Sequence, residues 1–303
     1  MTSLIDALLR ANLVGAAAIL AVLALRLPIR WRFGPQVAYR LWAAPPLAVA
    51  ATLTPLRTGK AALHPLANLA PAHFAWPLLL LWGAGLLVAL ILLARAQAAF
   101  LRKAKVGQAG PAVVGVVTPR IVMPPDDGRY SEDERALIRA HEREHIERKD
   151  PRAGAVMAAF QCLAWFNPLV HLAVHVAKLD QELACDAAVL RRHPGSRALY
   201  ARTLLKTQLA GAALPLGCYW PARSRHPLEV RVALLRRPAE GDGIQGPLVV
   251  GTGIVAAAIL AWAVEPPLPQ TVRAPQVVAE PYESGHMSVM LVTWRAAPPS
   301  VRN

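Results

Sequence analysis

The feature that most constrains this chain is a run of about twenty residues, Phe74 to Ala94, with no charged side chain and with Leu78-Leu79-Leu80-Leu81 inside it. As a helix, such a run is about 30 Å long, the thickness of a bilayer's hydrocarbon core. Three other stretches share its character. Leu13 to Leu25, extended by Leu4, Ile5, Leu8 and Leu9, resembles a signal-peptide core, but Arg26, Arg30 and Arg32 follow where a small-residue cleavage site would stand. It reads as an uncleaved span. Leu41 to Leu56 is shorter and carries Pro45-Pro46, which predicts a kinked span. Ile244 to Val264 is again about twenty residues long and uncharged. With 55% hydrophobic residues and a mean hydropathy of +0.34, the chain is too apolar for an ordinary soluble protein.

The net charge of +14 is unevenly placed. Residues 1–105 hold eleven Lys/Arg and one acid, Asp6, whereas residues 106–303 hold twenty-two Lys/Arg and eighteen acids. A basic excess around apolar runs matches anionic headgroups and the positive-inside rule, not a nucleic-acid stripe, so direct nucleic-acid binding is not expected. Arg26, Arg30, Arg32 and Arg40 follow the first run, and Arg95, Arg102, Lys103 and Lys105 the third. Only Arg57 and Lys60 lie between the second and third. The rule then puts both termini outside a bacterial inner membrane and residues 95–243 in the cytosol, with Arg231, Arg236 and Arg237 on the inner flank of the fourth span. The expected domains are a three-span region (1–105), a cytosolic domain (106–243), a fourth span (244–264) and a short external tail (265–303). Cys162, Cys185 and Cys218 fit neither a disulfide framework nor a Cys-x-x-Cys pair and read as small buried residues.

The cytosolic segment reads as α+β within a mainly α chain. Residues 112–117 and 120–123 form two short strands about Thr118-Pro119. Ser131-Glu132-Asp133-Glu134 is a capping box that opens a helix of about four turns, ending before Asp150-Pro151. Helices follow from Ala153 to Leu163, from about Leu169 to Leu190 and from about Ser196 to Leu209; the first of these is rich in Ala, Phe and Met and grazes the bilayer. Ser288 to Trp294 has the pattern of a strand.

The helix opened by the capping box carries His141-Glu142-Arg143-Glu144-His145. Positions i and i+4 share a helix face, so both imidazoles reach one metal ion, and Glu142 beside them reaches water activated there. The pattern predicts a zinc hydrolase with Glu142 as general base and His141 and His145 as ligands. Catalytic zinc takes a third protein ligand, for which Glu182 is the choice. Asp186, one turn on, is the supporting carboxylate that accepts an N–H from a liganding histidine. Asp180 competes for the ligand role but lies about 200 degrees round the helix from Glu182. His171 and His175 are also spaced i, i+4; a second metal site or, preferably, a packed or interfacial face accounts for them. His64, His73, His193, His226 and His286 lack a partner at ligand spacing. Tyr200 and Arg192 are within reach of an oxyanion role, but packing explains either as well.

These residues resemble the membrane zinc metallopeptidases of the BlaR/MecR beta-lactam sensor-transducer family. The resemblance is carried by His141 to Ile146 with Arg148 and Asp150, by Trp165-Phe166-Asn167-Pro168, by Glu182-Leu183-Ala184-Cys185-Asp186, by Pro119 to Pro124 and by the four-span frame. It implies a gluzincin-like domain inserted between the third and fourth transmembrane helices, with Glu182 as third ligand and Asp186 behind it. It also implies signal transduction as an antirepressor: proteolysis of a cytosolic repressor-like protein, self-cleavage, or both. Family sensors carry an external penicillin-binding domain with Ser-x-x-Lys; here fewer than forty residues follow Val264 and none of their serines begins that motif. The expectation is a short member with a separate sensor protein as partner, in contact with membrane lipid, with a homodimer left open. Two other readings stand beside it: a site-2-type intramembrane protease with Asp180 as third ligand, disfavoured by the charge of the motif helix, and a non-catalytic receptor or scaffold stabilised by zinc.

Overall fold

The computed structural model describes residues 2–53, 75–105, 110–210, 227–235, 245–263, 278–282 and 289–293. Cys218, His64, His73, His226, His286, Arg57, Lys60, Arg236 and Arg237 lie outside the described residues, as do the ends of the second and fourth expected spans. The described residues are mostly helical. Helix α1 (Thr2–Phe33) is longer than the first apolar run and continues through Arg26, Arg30 and Arg32. Gly34, at φ 91°, ends it in a conformation that glycine adopts without strain, and Pro35 opens α2 (Pro35–Arg40) where a missing N–H costs nothing. A 3₁₀ turn (Leu41–Ala43) leads into α3 (Ala44–Leu53), with Pro45 and Pro46 in its first turn. The second apolar run is thus a jointed segment, as its proline pair demands. Helix α4 (Ala75–Lys105) runs past Ala94 into Arg102, Lys103 and Lys105, cations that suit a helix C-terminus. Helices long and apolar enough to cross a membrane, among the described residues, are Leu4–Phe33 and Trp76–Lys105.

The strand pair is shorter than expected: β1 (Ala112–Val114) lies antiparallel to β2 (Arg120–Val122), with Val113 opposite Ile121. Gly115 ends β1 because it sits at φ 100°, where a side chain would collide with the Thr118 carbonyl. Helix α5 (Glu132–Glu147) begins at the expected capping box: Glu134 N–H donates to Ser131 Oγ (3.3 Å) and Ser131 N–H to Glu134 Oε2 (2.9 Å). Lys206 Nζ adds bonds of 2.8 and 3.1 Å to the same carboxylate, and these contacts lower the Glu134 pKa.

Helix α6 (Asp150–Leu163) starts three residues earlier than predicted. The reason is Lys149, which adopts φ 60° and reverses the chain within one residue, so that Asp150 opens the next helix. Asn167 caps α7 (Pro168–Arg192) by accepting from Leu169 N–H at 2.9 Å. Helix α8 (Arg197–Ala210), α9 (Pro227–Leu235) and α10 (Gln245–Ala263) follow. One core joins α5, α7, α8 and α9 through Leu137, Cys185, Val189, Leu190, Tyr200, Leu204 and Leu235. Another joins α1, α2, the 3₁₀ turn, α3 and α10 through Val22, Ile29, Val37, Leu41, Ala44 and Val250. The pair β3 (Val278–Tyr282) and β4 (Val289–Thr293) belongs to a separate unit and is antiparallel, with Glu280 opposite Leu291.

Candidate metal centre

Helices α5 and α7 pack so that the face of α5 bearing His141 and His145 looks at Glu182 on α7. His141 Nε2 lies 3.1 Å from His145 Nε2 and 3.4 Å from Glu182 Oε2; His145 Nε2 lies 3.6 Å from Glu182 Oε1. Ligand atoms about 2.0–2.1 Å from a tetrahedral ion are about 3.3 Å apart. The three distances fall near that spacing, with Glu182 presenting one carboxylate oxygen to each ring, so the two imidazoles and this carboxylate would be able to hold one zinc ion. Glu182 keeps 34% of its side-chain exposure against 14% and 11% for the histidines, so the cluster opens on its side.

The hydrogen bonds behind these atoms decide the tautomers. Tyr200 Oη donates its one proton to Asp186 Oδ1 (2.6 Å), since a carboxylate accepts. The His141 Nδ1–Tyr200 Oη contact of 2.8 Å must then be a donation from the imidazole. His145 Nδ1 likewise donates to Asp150 Oδ2 at 2.7 Å. Both rings thus carry a proton on Nδ1 and turn Nε2 towards the same point. With both Nδ1 protons committed, the 3.1 Å contact between the two Nε2 atoms requires a proton or a metal cation between them. This donor set fits zinc.

Charge is arranged to match. Arg231, 5% exposed, donates through Nε to Asp186 Oδ2 and through Nη2 to Asp186 Oδ1, each at 2.8 Å, and its Nη1 lies 3.1 Å from Glu182 Oε2. Desolvation opposes the Glu182 charge, but Arg231 and the two histidines outweigh it and hold the carboxyl well below the usual range. Burial by itself lowers the His145 pKa; the bond to Asp150 and the charges of Glu182, Glu142 and Asp150 reverse this and raise it to about 9. Glu142 is 7% exposed, and burial raises its pKa against the pull of the two histidines.

Asp186 supports His141 chiefly through Tyr200, its own Oδ1 standing 3.6 Å from Nδ1. Asp180 points elsewhere: its carboxylate accepts from Arg26 (2.9 Å), Arg30 (3.5 Å) and the Trp42 indole (2.9 Å) and is 1% exposed. Arg192 pairs with Glu147 and Glu144 on the outer side of α5, away from the cluster. His171 Nε2 bonds the Trp165 carbonyl (2.9 Å) and its Nδ1 contacts Gln161 (3.3 Å), while His175 is exposed. Cys185 Sγ lies within metal-binding range of both histidines, yet it sits 3.4 Å from His141 Nδ1, the ring atom turned away from Glu182. Burial and the charges of Glu182 and Asp186 also push its thiol pKa well up, so we discount it as a ligand. Sequence reasoning missed three parts of this arrangement: Asp150 behind His145, Tyr200 behind His141, and Arg231 between the two carboxylates. Asp150 alone left a signal, as an acid five residues after His145. Tyr39 Oη, from α2, bonds the second Asp150 oxygen at 3.1 Å.

Residues 102–235 match the model of the family described as BlaR1 peptidase M56. Over 81 residues the chain is 37% identical to the regulatory protein BlaR1 of Bacillus licheniformis, an alignment covering 27% of this chain and 14% of that protein. No solved structure matches the chain. The likeness and the site fall on the same segment, and residues 102–235 are similar to the M56 peptidase of the BlaR1/MecR type, with an alignment that spans about a seventh of the relative's length.

Proposed function

We propose that this protein is a membrane-bound zinc endopeptidase of a signalling pathway, with His141, His145 and Glu182 as ligands and Glu142 as general base. The observation that carries the reading is the convergence of two Nε2 atoms and the Glu182 carboxylate within 3.1–3.6 Å of one another, with both Nδ1 protons already committed. When bound, zinc supplies the Lewis acidity that activates water and polarises a peptide carbonyl. Glu142 then takes the proton from the attacking water and delivers it to the departing amine; its raised pKa suits both halves of that task. Asp150, Tyr200 and Asp186 hold the two imidazoles in orientation, and Arg231 keeps Glu182 ionised. Asp180 as third ligand, the intramembrane alternative, is disfavoured because Arg26, Arg30 and Trp42 occupy its carboxylate.

About one zinc per chain is expected in wild type, and His141→Ala or His145→Ala should lose most of it. Full zinc in both variants by elemental analysis would mean that the ion sits elsewhere.

The reading extends to four spans, a cytosolic domain at 106–243, external termini and a cytosolic repressor-like substrate or self-cleavage, with a separate sensor protein as partner. The arginines and lysines towards the C-terminal ends of α1 and α4 support this sidedness. Reporter fusions after Lys105 and Pro238 should read cytosolic and one after Pro269 external. External signals at the first two would remove any cytosolic protein from the substrate list.

A further inference from the structure

Residues 153–177, within the peptidase domain, contain no Asp, Glu, Lys or Arg. They form most of α6, the turn at 164–167 and the first half of α7, and the tip of this hairpin touches two membrane helices well away from their inner charges, on α1 two residues after Arg10. Trp82 Nε1 on α4 donates to the Leu163 carbonyl (2.9 Å), and Trp165 Nε1 donates to the Trp82 carbonyl (3.3 Å). A side chain at Gly85 would collide with the Trp165 indole. Asn167 Nδ2 donates to Asn12 Oδ1 on α1 at 2.6 Å.

Both helices place the tip at the same depth. From Trp82 to Arg95, the first inner charge of α4, is about 20 Å of helix; from Asn12 to Arg26 on α1 is about 21 Å. A hydrocarbon core is about 30 Å thick, so the tip reaches past its middle. Helix α7 returns along α1 in step with it, since Asn167 meets Asn12 at one end and Asp180 meets Arg26 and Arg30 at the other. The tip is built for a dry setting. Asn167 is spent on Leu169 N–H and Asn12, and His171 on Gln161 and the Trp165 carbonyl. Meanwhile Val156, Leu163, Phe166 and Leu172 are 46–47% exposed, and α4, which packs on α6, likewise exposes Leu80, Leu81 and Leu90.

We infer that α6 and the first half of α7 are a re-entrant hairpin within the bilayer, its outer face covered by lipid acyl chains and its base holding the Glu182 end of α7 at the inner membrane surface. The inference rests on α1 and α4 as membrane spans. It is tested by photo-crosslinking in nanodiscs of phosphatidylethanolamine and phosphatidylglycerol, with p-benzoylphenylalanine replacing Leu90, Phe166, Leu172 or Arg139 in the full chain. Mass spectrometry should find acyl-chain adducts at Leu90, Phe166 and Leu172 and none at Arg139. Adducts at Leu90 without any at Phe166 and Leu172, or protein–protein crosslinks in their place, overturn the hairpin while leaving the spans intact. No lipid adduct at Leu90 overturns the spans and the hairpin together. Because all four replaced side chains are exposed, a monodisperse elution profile suffices to show that each variant has folded.

Discussion

Glu142→Gln is expected to keep its zinc and lose peptide hydrolysis by about 100- to 10,000-fold, the usual cost of removing a general base. The amide preserves the size of a side chain that is 7% exposed, so packing between α5 and its neighbours is not at issue. It cannot accept a proton from water, and it leaves His141, His145 and Glu182 untouched. The experiment measures turnover of a peptide or of the chain itself against zinc content in the same preparation. Near wild-type turnover in a zinc-loaded variant would remove Glu142 from the mechanism. Full zinc with no activity in wild type either would favour the non-catalytic scaffold.

Arg231→Met is the second large effect. Its guanidinium lies between Asp186 and Glu182, with side-chain exposures of 6% for Arg231 and 3% for Asp186. Methionine fills a similar volume but takes two donors from the Asp186 carboxylate and leaves it the Tyr200 hydroxyl. Removing one partner of a buried ion pair costs about 3–5 kcal/mol, because the other charge stays behind without compensation. The loss should be larger in zinc-stripped protein than in loaded protein, since a divalent ion beside Glu182 takes over part of the charge that Arg231 balances. Chemical unfolding with and without a chelator reads both values. Equal stability of Arg231→Met and wild type in the stripped state would show that the network is ornamental.

The legible parts of the fold and site were those encoded by short spacing. The capping box at Ser131 and Glu134, the His141/His145 pair and the Glu182/Asp186 pair each recur within one helical turn, so periodicity alone places them on one face. The long apolar runs declared themselves by composition. What escaped was contact between distant segments. Arg26, Arg30 and Arg231 read as flanking charges that orient spans, and nothing local distinguishes an arginine facing headgroups from one facing a buried aspartate. The structure gives Arg26 and Arg30 to Asp180, about 150 positions away, and Arg231 to Asp186, 45 away. Tyr200 looked like a packing tyrosine because its partners arrive from two other helices. Asp150 was close enough in sequence to be noticed, but its role depends on the left-handed turn at Lys149, which a lysine does not advertise.

Tyr39 and Asp180 also settle what kind of unit the peptidase is. Asp150, which steadies His145, takes a hydrogen bond from Tyr39 in α2, and Asp180, two residues before Glu182, takes its donors from α1 and the 3₁₀ turn. Cutting the chain at Lys105 would free a fragment with the whole HExxH sequence and all three proposed ligands, yet with Asp180 stripped of Arg26, Arg30 and Trp42 and Asp150 without the Tyr39 hydroxyl. The proposed catalytic segment is therefore not expected to be a portable module that gene fusion can move between proteins. It travels with the first forty-odd residues of the chain, and a soluble truncation is the wrong starting material for an inhibitor screen.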